Sequence, residues 1–407
     1  IVSRDWSSDV CSSDLTLKYI NPTEIQSYDC DEEIYVVDSN QVNLKVTKNH
    51  RMYVSTRDSY KYKIEEASEI LNKQRRYLKN CEDIEVEGYV ESDTFILGSK
   101  KFADRELDKE AFLTLFGIWL AEGCCDDTHA VQFAAHKPRV REAMQRVCDK
   151  MGYKINKTKF QKTDEVETNW TIRDKQLVDF FKPYSVGAVN KYLPKWVWKL
   201  NRQECKWLLE GMILGDGHTM ENGTRRYDTS STKLADDFQR LCLHCGYSTN
   251  KFVKCEKGYE AIGKSGNCAG KVFRASTDAY RLTVIESQNN PLVNKDKHKN
   301  IWDKYEHYTG KVYCCTVPTD DGVIYVRREG VPVWCGQSKF GQKGTCGIQL
   351  SWVDMPYNKF GVRPDIILNP HAIPSRQTVA QLLESIVGKV AAIDGRSEEH
   401  TSELQSR

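Results

Sequence analysis

The sequence predicts an α+β chain: an all-β domain split by an inserted, pseudo-twofold α/β domain, with a short third segment behind it. Three observations carry this. Residues 115–157 align without a gap on residues 209–251. Strands with period-two apolar alternation flank that repeat on both sides. After Gln337 the strand-rich pattern stops, and a Gly-rich basic loop, SKFGQKGT, begins.

Residues 5–15, DWSSDVCSSDL, and residues 396–406, RSEEHTSELQS, back-translate as one oligonucleotide read on opposite strands. The pair resembles a sequencing adaptor, so residues 1–15 and 396–407 are expected to be artefacts and are set outside fold reasoning. Residues 16–395 suffice for two or three domains. A net charge of +2 neither demands nor excludes nucleic acid. No apolar run reaches transmembrane length, so no membrane partner is expected. The 15 cysteines form no evenly spaced framework, which points to an intracellular protein with reduced thiols. Cys242, His244 and Cys245 lie in a helical pattern with no second ligand pair at finger spacing, and read as core positions rather than zinc ligands.

Taken in order, residues 32–71 alternate at Ile34/Val36, Val42/Leu44/Val46 and Met52/Val54, which predicts short strands. TKNH, Thr47 to His50, sits among them. The repeat region spans 101–290, with copies at about 105–185 and 200–286. LFGIWLAEG in the first copy faces LEGMILGDG in the second. Each copy opens with an apolar helix whose small residues stand four apart, Gly117 with Ala121 and Gly211 with Gly215. That spacing puts them on one helix face and lets two backbones approach closely. Paired helices would set Glu122 beside Asp216, a costly arrangement unless a cation binds between the carboxylates.

These helices resemble the two LAGLIDADG motifs of homing endonucleases. The resemblance implies a single-chain pseudo-dimer in which Glu122 and Asp216 hold Mg²⁺, which activates water and stabilises the leaving oxygen on each DNA strand. It also implies strands that form a saddle over double-stranded DNA. The candidates are YKINKTKFQK (153–162), TNWTIRD (168–174), TRRYDTSSTK (224–233) and STNKFVK (248–254). Their Lys154, Lys157, Lys159, Lys162, Arg225, Arg226, Lys233, Lys251 and Lys254 suit phosphate and base-edge contacts. Lys191 and Lys195, in the linker KYLPKWVWKLNR, are candidates to assist at the scissile phosphate.

After the repeat, residues 308–338 are strand-rich again, with turn signals at PTDDG and REG. Together, T-x-x-H upstream, GKVYCCTVP downstream and an amide residue followed by a hydroxyl residue resemble an intein, a protein-splicing element of the all-β Hint fold. The resemblance covers about Thr16 to Gln337, with Hint portions at 16–100 and 291–337. It implies that Thr47 and His50 polarise and protonate the upstream scissile amide. Cys314 stands where the family has Asp or Cys, Gln337 is the last residue in place of the usual Asn, and Ser338 is the downstream nucleophile. The implied splicing needs no cofactor. The upstream peptide bond shifts to an ester or thioester, Ser338 attacks it, and Gln337 cyclises to cut the chain behind itself. Gly336 replaces a customary His, a second downstream His near DDGVIY is absent, and the family's nucleophilic first residue is missing from the sequence.

Residues 338–395 carry a QKGT turn, Pro-punctuated extended stretches and an amphipathic pattern through Val379, Leu382, Leu383, Ile386, Val387 and Val390. They resemble the second-largest subunit of a DNA-directed RNA polymerase of the eukaryotic, archaeal or large-DNA-virus kind. That implies other polymerase subunits as partners, Lys343 in a loop near the catalytic centre, and residence in nucleus, cytoplasm or viral factory. The DNA target implied is the polymerase gene without the insertion. The alternative reading is a polymerase fragment, made for DNA-directed RNA synthesis, with a degenerate and inactive insertion. A free-standing LAGLIDADG maturase that binds RNA is a third, against which both flanks argue.

Overall fold

The inserted region is built on two long helices, Lys109–Glu122 and Arg202–Asp216, in the computed structural model of the chain. Local sequence fixes both starts. Asp108 accepts the Ala111 amide, and Asn201 with Glu204 forms a reciprocal capping box. The two helices run side by side in the same direction. Buried Lys109 and Glu204 pair at 2.7 Å near their starts, and Gly215 packs on Ala121 and Glu122 at their ends. The predicted small residues make the seam: a Cβ built on Gly117 would lie 2.7 Å from the Met212 amide nitrogen and 2.8 Å from the Gly211 Cα. Only glycine fits there.

Each seam helix leads into a four-stranded antiparallel sheet. The first has the order Gly123–Cys125, Val131–Ala134, Asn169–Ile172, Ile155–Thr158. The second has the order Gly217–Thr219, Arg225–Thr229, Ala279–Ile285, Ser248–Cys255. Strand order and register agree between the copies, with Gly123 opposite Phe133 and Gly217 opposite Tyr227. A helix follows the second strand of each, Pro138–Met151 and Thr232–His244. The strand predicted over 224–233 ends early: Ser231 caps the second of these helices. Lys233 is therefore helical and pairs with Asp237 at 3.2 Å.

The flanks of the repeat pair with each other. Glu24–Asp38 runs antiparallel to Asp303–Thr316 along its whole length, and also to Asn43–Thr47. Arg51–Thr56, Lys63–Glu66, Arg75–Tyr77 and Leu292–Val293 form a second sheet. Val323–Arg328 and Val331–Gly336 form a hairpin. Val42, Leu44, Met52 and Val54, at the predicted period of two, fill the core between them with Tyr35, Val37 and Val333, whereas Ile34 and Val36, the alternation expected on that strand, lie on its other face in a separate cluster with Cys30. Asp9–Cys11, inside the leader excluded from fold reasoning, pairs with Thr16–Tyr19 and with the hairpin. Strand pairing uses backbone groups, and an open edge accepts any extended segment.

The structure describes residues 9–11, 16–22, 24–86, 88–98, 102–125, 130–159, 166–262, 272–295, 301–317, 322–336, 348, 350–364, 366–371, 382, 385–386, 388–390 and 393. Lys162, Gln337, Ser338, Lys343 and most of the amphipathic stretch after Val379 lie outside them. Residues 1–337 form one compact unit and 338–407 a second. In the second, Ser351 caps the turn Trp352–Asp354, and Arg363 donates to the Trp352 carbonyl at 2.7 Å. Among the described residues no helix is long and apolar enough to cross a membrane. Among the described residues no disulfide forms. Cys242, His244 and Cys245 are buried, and the His244 ring hydrogen-bonds the Tyr19 hydroxyl at 2.7 Å.

Candidate metal and nucleic-acid site

A helix C-terminus gathers unpaired carbonyls and negative potential. Here two such ends lie together, each carrying a carboxylate, and three cations answer them. Lys137 Nζ donates to Glu122 Oε1 at 2.8 Å and to the Gly215 carbonyl. Arg139 Nε donates to the Leu214 carbonyl at 2.9 Å. Lys191 Nζ donates to the carbonyls of Leu120, Ala121 and Gly123 at 2.6, 3.3 and 3.3 Å. Lys191 therefore lies at the acid-bearing helix ends as a cap on the first seam helix; burial lowers its pKa, with the Asp216 charge opposing. Lys195 lies exposed in the turn Lys195–Lys199.

Asp216 reaches solvent in a concave wall of protein. Its carboxyl is pushed up to about 6, by desolvation first and by the Glu122 carboxylate second, while Lys137 and Lys191 pull it down. It borders a cavity of about 260 Å³ shared with Lys191, Tyr227, Asp228, Thr229 and Lys254. The donor set around the seam ends is all oxygen, two carboxylates and several carbonyls, which suits a hard divalent cation. The Lys137 ammonium sits among these oxygens, so the geometry already favours positive charge there. Among the described residues no group of three or more His, Cys, Asp or Glu gathers, so a cation here would complete its shell with water and substrate oxygens. Lys137 was missed by sequence reasoning: AAHKPR reads as an ordinary surface turn.

The basic residues divide. Lys154 and Lys159 are exposed on or beside the strand Ile155–Thr158. Lys157 lies there too, 4.5 Å from the Trp170 ring centre and 2.7 Å from Gln145 Oε1. Lys254 is exposed and pairs with Asp228 at 2.6 Å, and Arg226 is half-buried. Arg225 has its guanidinium held by Glu286 at 2.6 Å and by Glu210. Lys251 needs correction. It pairs with Asp236, which Arg327 of the hairpin also reaches at 2.5 Å, and burial lowers the lysine's pKa. It ties the hairpin to the repeat region instead of lying open on a strand face.

A second constellation lies in the all-β part. His50 Nε2 is 3.2 Å from the Cys335 thiol, on the strand that leads to Gln337. Thr47 Oγ1 donates to Asn49 Oδ1 at 3.0 Å, and the Thr47 carbonyl accepts the His50 amide at 3.0 Å. Burial pushes the Cys335 thiol up to about 12, and Cys314 adds to the rise. Cys314 is half-buried near the end of Asp303–Thr316, and its thiol faces the Cys315 carbonyl at 3.6 Å. Sequence reasoning passed over Cys335, because VPVWCG signals only a strand.

Comparison with known proteins identifies two parts of the chain. Residues 204–289 match the LAGLIDADG-like domain, and residues 337–403 match domain 6 of RNA polymerase Rpb2. The chain is 30% identical over 378 residues to the DNA-directed RNA polymerase subunit beta C-terminal section of Stigeoclonium helveticum, covering 79% of this chain and 33% of that protein. It is 28% identical over 431 residues to the ATP-dependent Clp protease proteolytic subunit of Chlamydomonas moewusii, covering 79% of this chain and 42% of that protein. The chain thus spans well under half the length of these two relatives. A shorter match, 59% over 58 residues, is to the polymerase subunit Rpo2 of Saccharolobus solfataricus, 14% of this chain and 5% of that protein. Among solved structures, mesophilic variants of the homing endonuclease I-DmoI align over 44% of this chain and 85% of theirs. The identity is 11% and the TM-score 0.30, too slight a likeness to bear on function. Matches to a LAGLIDADG-like domain and to a polymerase domain therefore fall within one chain.

Proposed function

We propose that residues up to Gln337 are an intein, a Hint-type splicing element carrying a LAGLIDADG homing endonuclease, which interrupts the second-largest subunit of an RNA polymerase just before Ser338. The observation that carries this is the pair of curated relatives. One is named for a polymerase and the other for a protease, yet each matches 79% of this chain. The polymerase-domain match is confined to residues 337–403. What two hosts of unrelated activity share is an inserted element. The pairing of Glu24–Asp38 with Asp303–Thr316 supports the same reading, since one β-domain assembled from both flanks is what an insertion into a loop leaves behind.

In the endonuclease, Glu122 and Asp216 would hold Mg²⁺ at the ends of the seam. The metal supplies Lewis acidity, lowering the pKa of a bound water and offsetting charge on phosphate. The glycine seam fixes the spacing of the two carboxylates. Lys137 and Lys191 add positive charge beside them, and Lys154, Lys157, Lys159 and Lys254 offer phosphate contacts on the sheets. In splicing, His50 gives a proton to the leaving amide nitrogen, with the Cys335 contact holding its ring against the junction strand. Ser338 Oγ takes the acyl group, and the Gln337 side-chain amide attacks its own carbonyl to release the element. The spliced subunit then joins its polymerase partners. The test is cleavage with Mg²⁺ of a duplex carrying the uninterrupted polymerase gene. The chain cuts it and Asp216→Ala does not; an uncut duplex overturns the endonuclease half.

A further inference from the structure

The hairpin that ends at the downstream junction is held by the second copy of the repeat as well as by the β-domain. Its turn passes through Glu329 and Gly330, at φ 48° and 79°. The Gly330 carbonyl accepts the Lys251 amide at 2.9 Å and Gln239 Nε2 at 3.0 Å. A Cβ on Gly330 would strike the Lys251 carbonyl, so the turn lies directly on the strand Ser248–Cys255. Arg327, on the first arm, donates to Gln239 Oε1 at 2.7 Å and to the Asp236 carboxylate. Gln239 is 4% exposed and links that arm to the turn. A second hold lies further along the junction strand. Trp334 donates its amide to the Leu78 carbonyl at 2.9 Å and its indole N–H to the Asn80 carbonyl at 2.8 Å. Asn80 donates in turn to the Gly246 carbonyl at 3.2 Å, and Lys79 to Asn250 Oδ1 at 2.7 Å. Gly246 and Asn250 belong to the second copy. The first copy has Gln145 and Lys157 at the places of Gln239 and Lys251, but there they bond to each other at 2.7 Å and Lys157 is exposed. The same pair of residues therefore serves a different partner in each copy.

We propose that Asp236 and Gln239 of the second copy are positioning residues for the downstream splicing step: through Arg327 and Gly330 they fix the strand Val331–Gly336, which ends one residue before Gln337. This rests on the splicing reading. In that step the Gln337 side-chain nitrogen bonds its own main-chain carbonyl carbon. The peptide bond to Ser338 breaks, and the proton lost by the attacking nitrogen passes to the Ser338 nitrogen. Such a closure needs its two atoms held in line, and a displacement of about 1 Å costs about 10²-fold. His50 is held separately, by the Thr47 carbonyl at 3.0 Å, so the upstream step does not depend on the same link. The inserted domain is thus part of the scaffold for splicing as well as the seat of the paired acids.

The experiment uses the full chain with its upstream polymerase sequence and a Cys or Ser first residue restored, beside its Arg327→Met, Gln239→Ala and Gln145→Ala variants. Arg327→Met leaves Lys251 paired with Asp236, so it strands no buried charge and decides the matter if Gln239→Ala does not fold. Thermal unfolding fixes a temperature at which each variant is folded. Intact-mass time courses then separate precursor, branched ester and ligated product. Arg327→Met and Gln239→Ala should each slow release from the branched ester about 10- to 100-fold, with the upstream step at its original rate, so that the branched species accumulates. Gln145→Ala, at the equivalent place in the first copy, should match the unaltered chain. Equal slowing of both steps would mean a general loosening of the fold and overturn the proposal. Normal release in Arg327→Met, or the same slowing in Gln145→Ala, overturns this inference alone. An unaltered precursor that never forms the branched ester or ligated product overturns the splicing reading and this inference with it.

Discussion

Replacing Gly211 by Ala would drive a methyl group into the backbone of the facing seam helix. A Cβ there lies 3.0 Å from the Gly117 Cα and 3.0 Å from the Thr114 carbonyl carbon, and closer still to the Thr114 oxygen. These obstacles are backbone atoms, which cannot rotate aside as a side-chain tip can. Overpacking a core by a methylene or so costs ~1–3 kcal/mol, and occasionally more. Backbone contact puts Gly211→Ala at the top of that range or beyond it. Alanine returns about 1 kcal/mol through its better helix propensity. The net loss is about 2 kcal/mol or more, which lowers the Tm of a domain this size by about 4–8 °C. Parting the helices also separates Glu122 from Asp216, so cleavage falls further than stability alone requires. Thermal unfolding and Mg²⁺-dependent cleavage, both on the full chain at a temperature where the variant is folded, measure the two effects. Unchanged Tm and unchanged cleavage in Gly211→Ala would refute the claim that this seam sets the carboxylate spacing.

Glu122→Ala and Asp216→Ala should each abolish cleavage yet leave splicing at its normal rate on denaturing gels, because the two reactions use groups on different elements. Lost splicing in either variant would contradict that separation. Lys79 is buried with its Nζ on Asn250 Oδ1 at 2.7 Å, and desolvation lowers its pKa to about 7. An unfolded lysine titrates near 10.4, so between about pH 7 and 10 the folded state binds fewer protons and stability rises with pH. Below that window both states are protonated and the full desolvation cost remains. Urea unfolding from pH 6 to 10 should show this rise and Lys79→Met should flatten it; an identical slope in both proteins would rule out Lys79 as its source. With the upstream portion restored, His50→Ala should slow the upstream step by about 10²–10⁴-fold. An unaltered rate would reduce His50 to a core residue. Gln337→Ala should trap a branched ester on Ser338, whereas ligated product at the normal rate would remove Gln337 from the mechanism.

The seam was legible in the sequence because several signals encode it at once. The ungapped repeat, the small residues four apart and the acid behind each helix all require the same pairing. The strands of the flanks were legible where alternate residues share one core, as Val42, Leu44, Met52 and Val54 do; at residues 34–37 both faces are buried, and alternation alone could not say which face meets which core. Lys137 was not legible: its role comes from the fold bringing a turn of the first copy to the helix end of the second. Lys251 was misjudged for a related reason. Alternation along a strand says which residues share a face, but not whether that face meets DNA or another part of the same chain. Arg327, far along the sequence, supplies the other half of the cluster on Asp236. Lys233 ends TRRYDTSSTK and looked like strand, yet Ser231 caps a helix there, and the polar run that suggested a continuing strand is a helix start.

Intact-mass analysis of the restored precursor tests the central claim most directly. The chain would be produced behind the matching upstream polymerase sequence and a Cys or Ser first residue, then followed in time. The account predicts two products: a continuous polymerase segment in which upstream sequence is joined by a peptide bond to Ser338, and a released element ending in a cyclised Gln337. A precursor that stays whole, with residues 16–337 retained inside an uncut polypeptide, would contradict it.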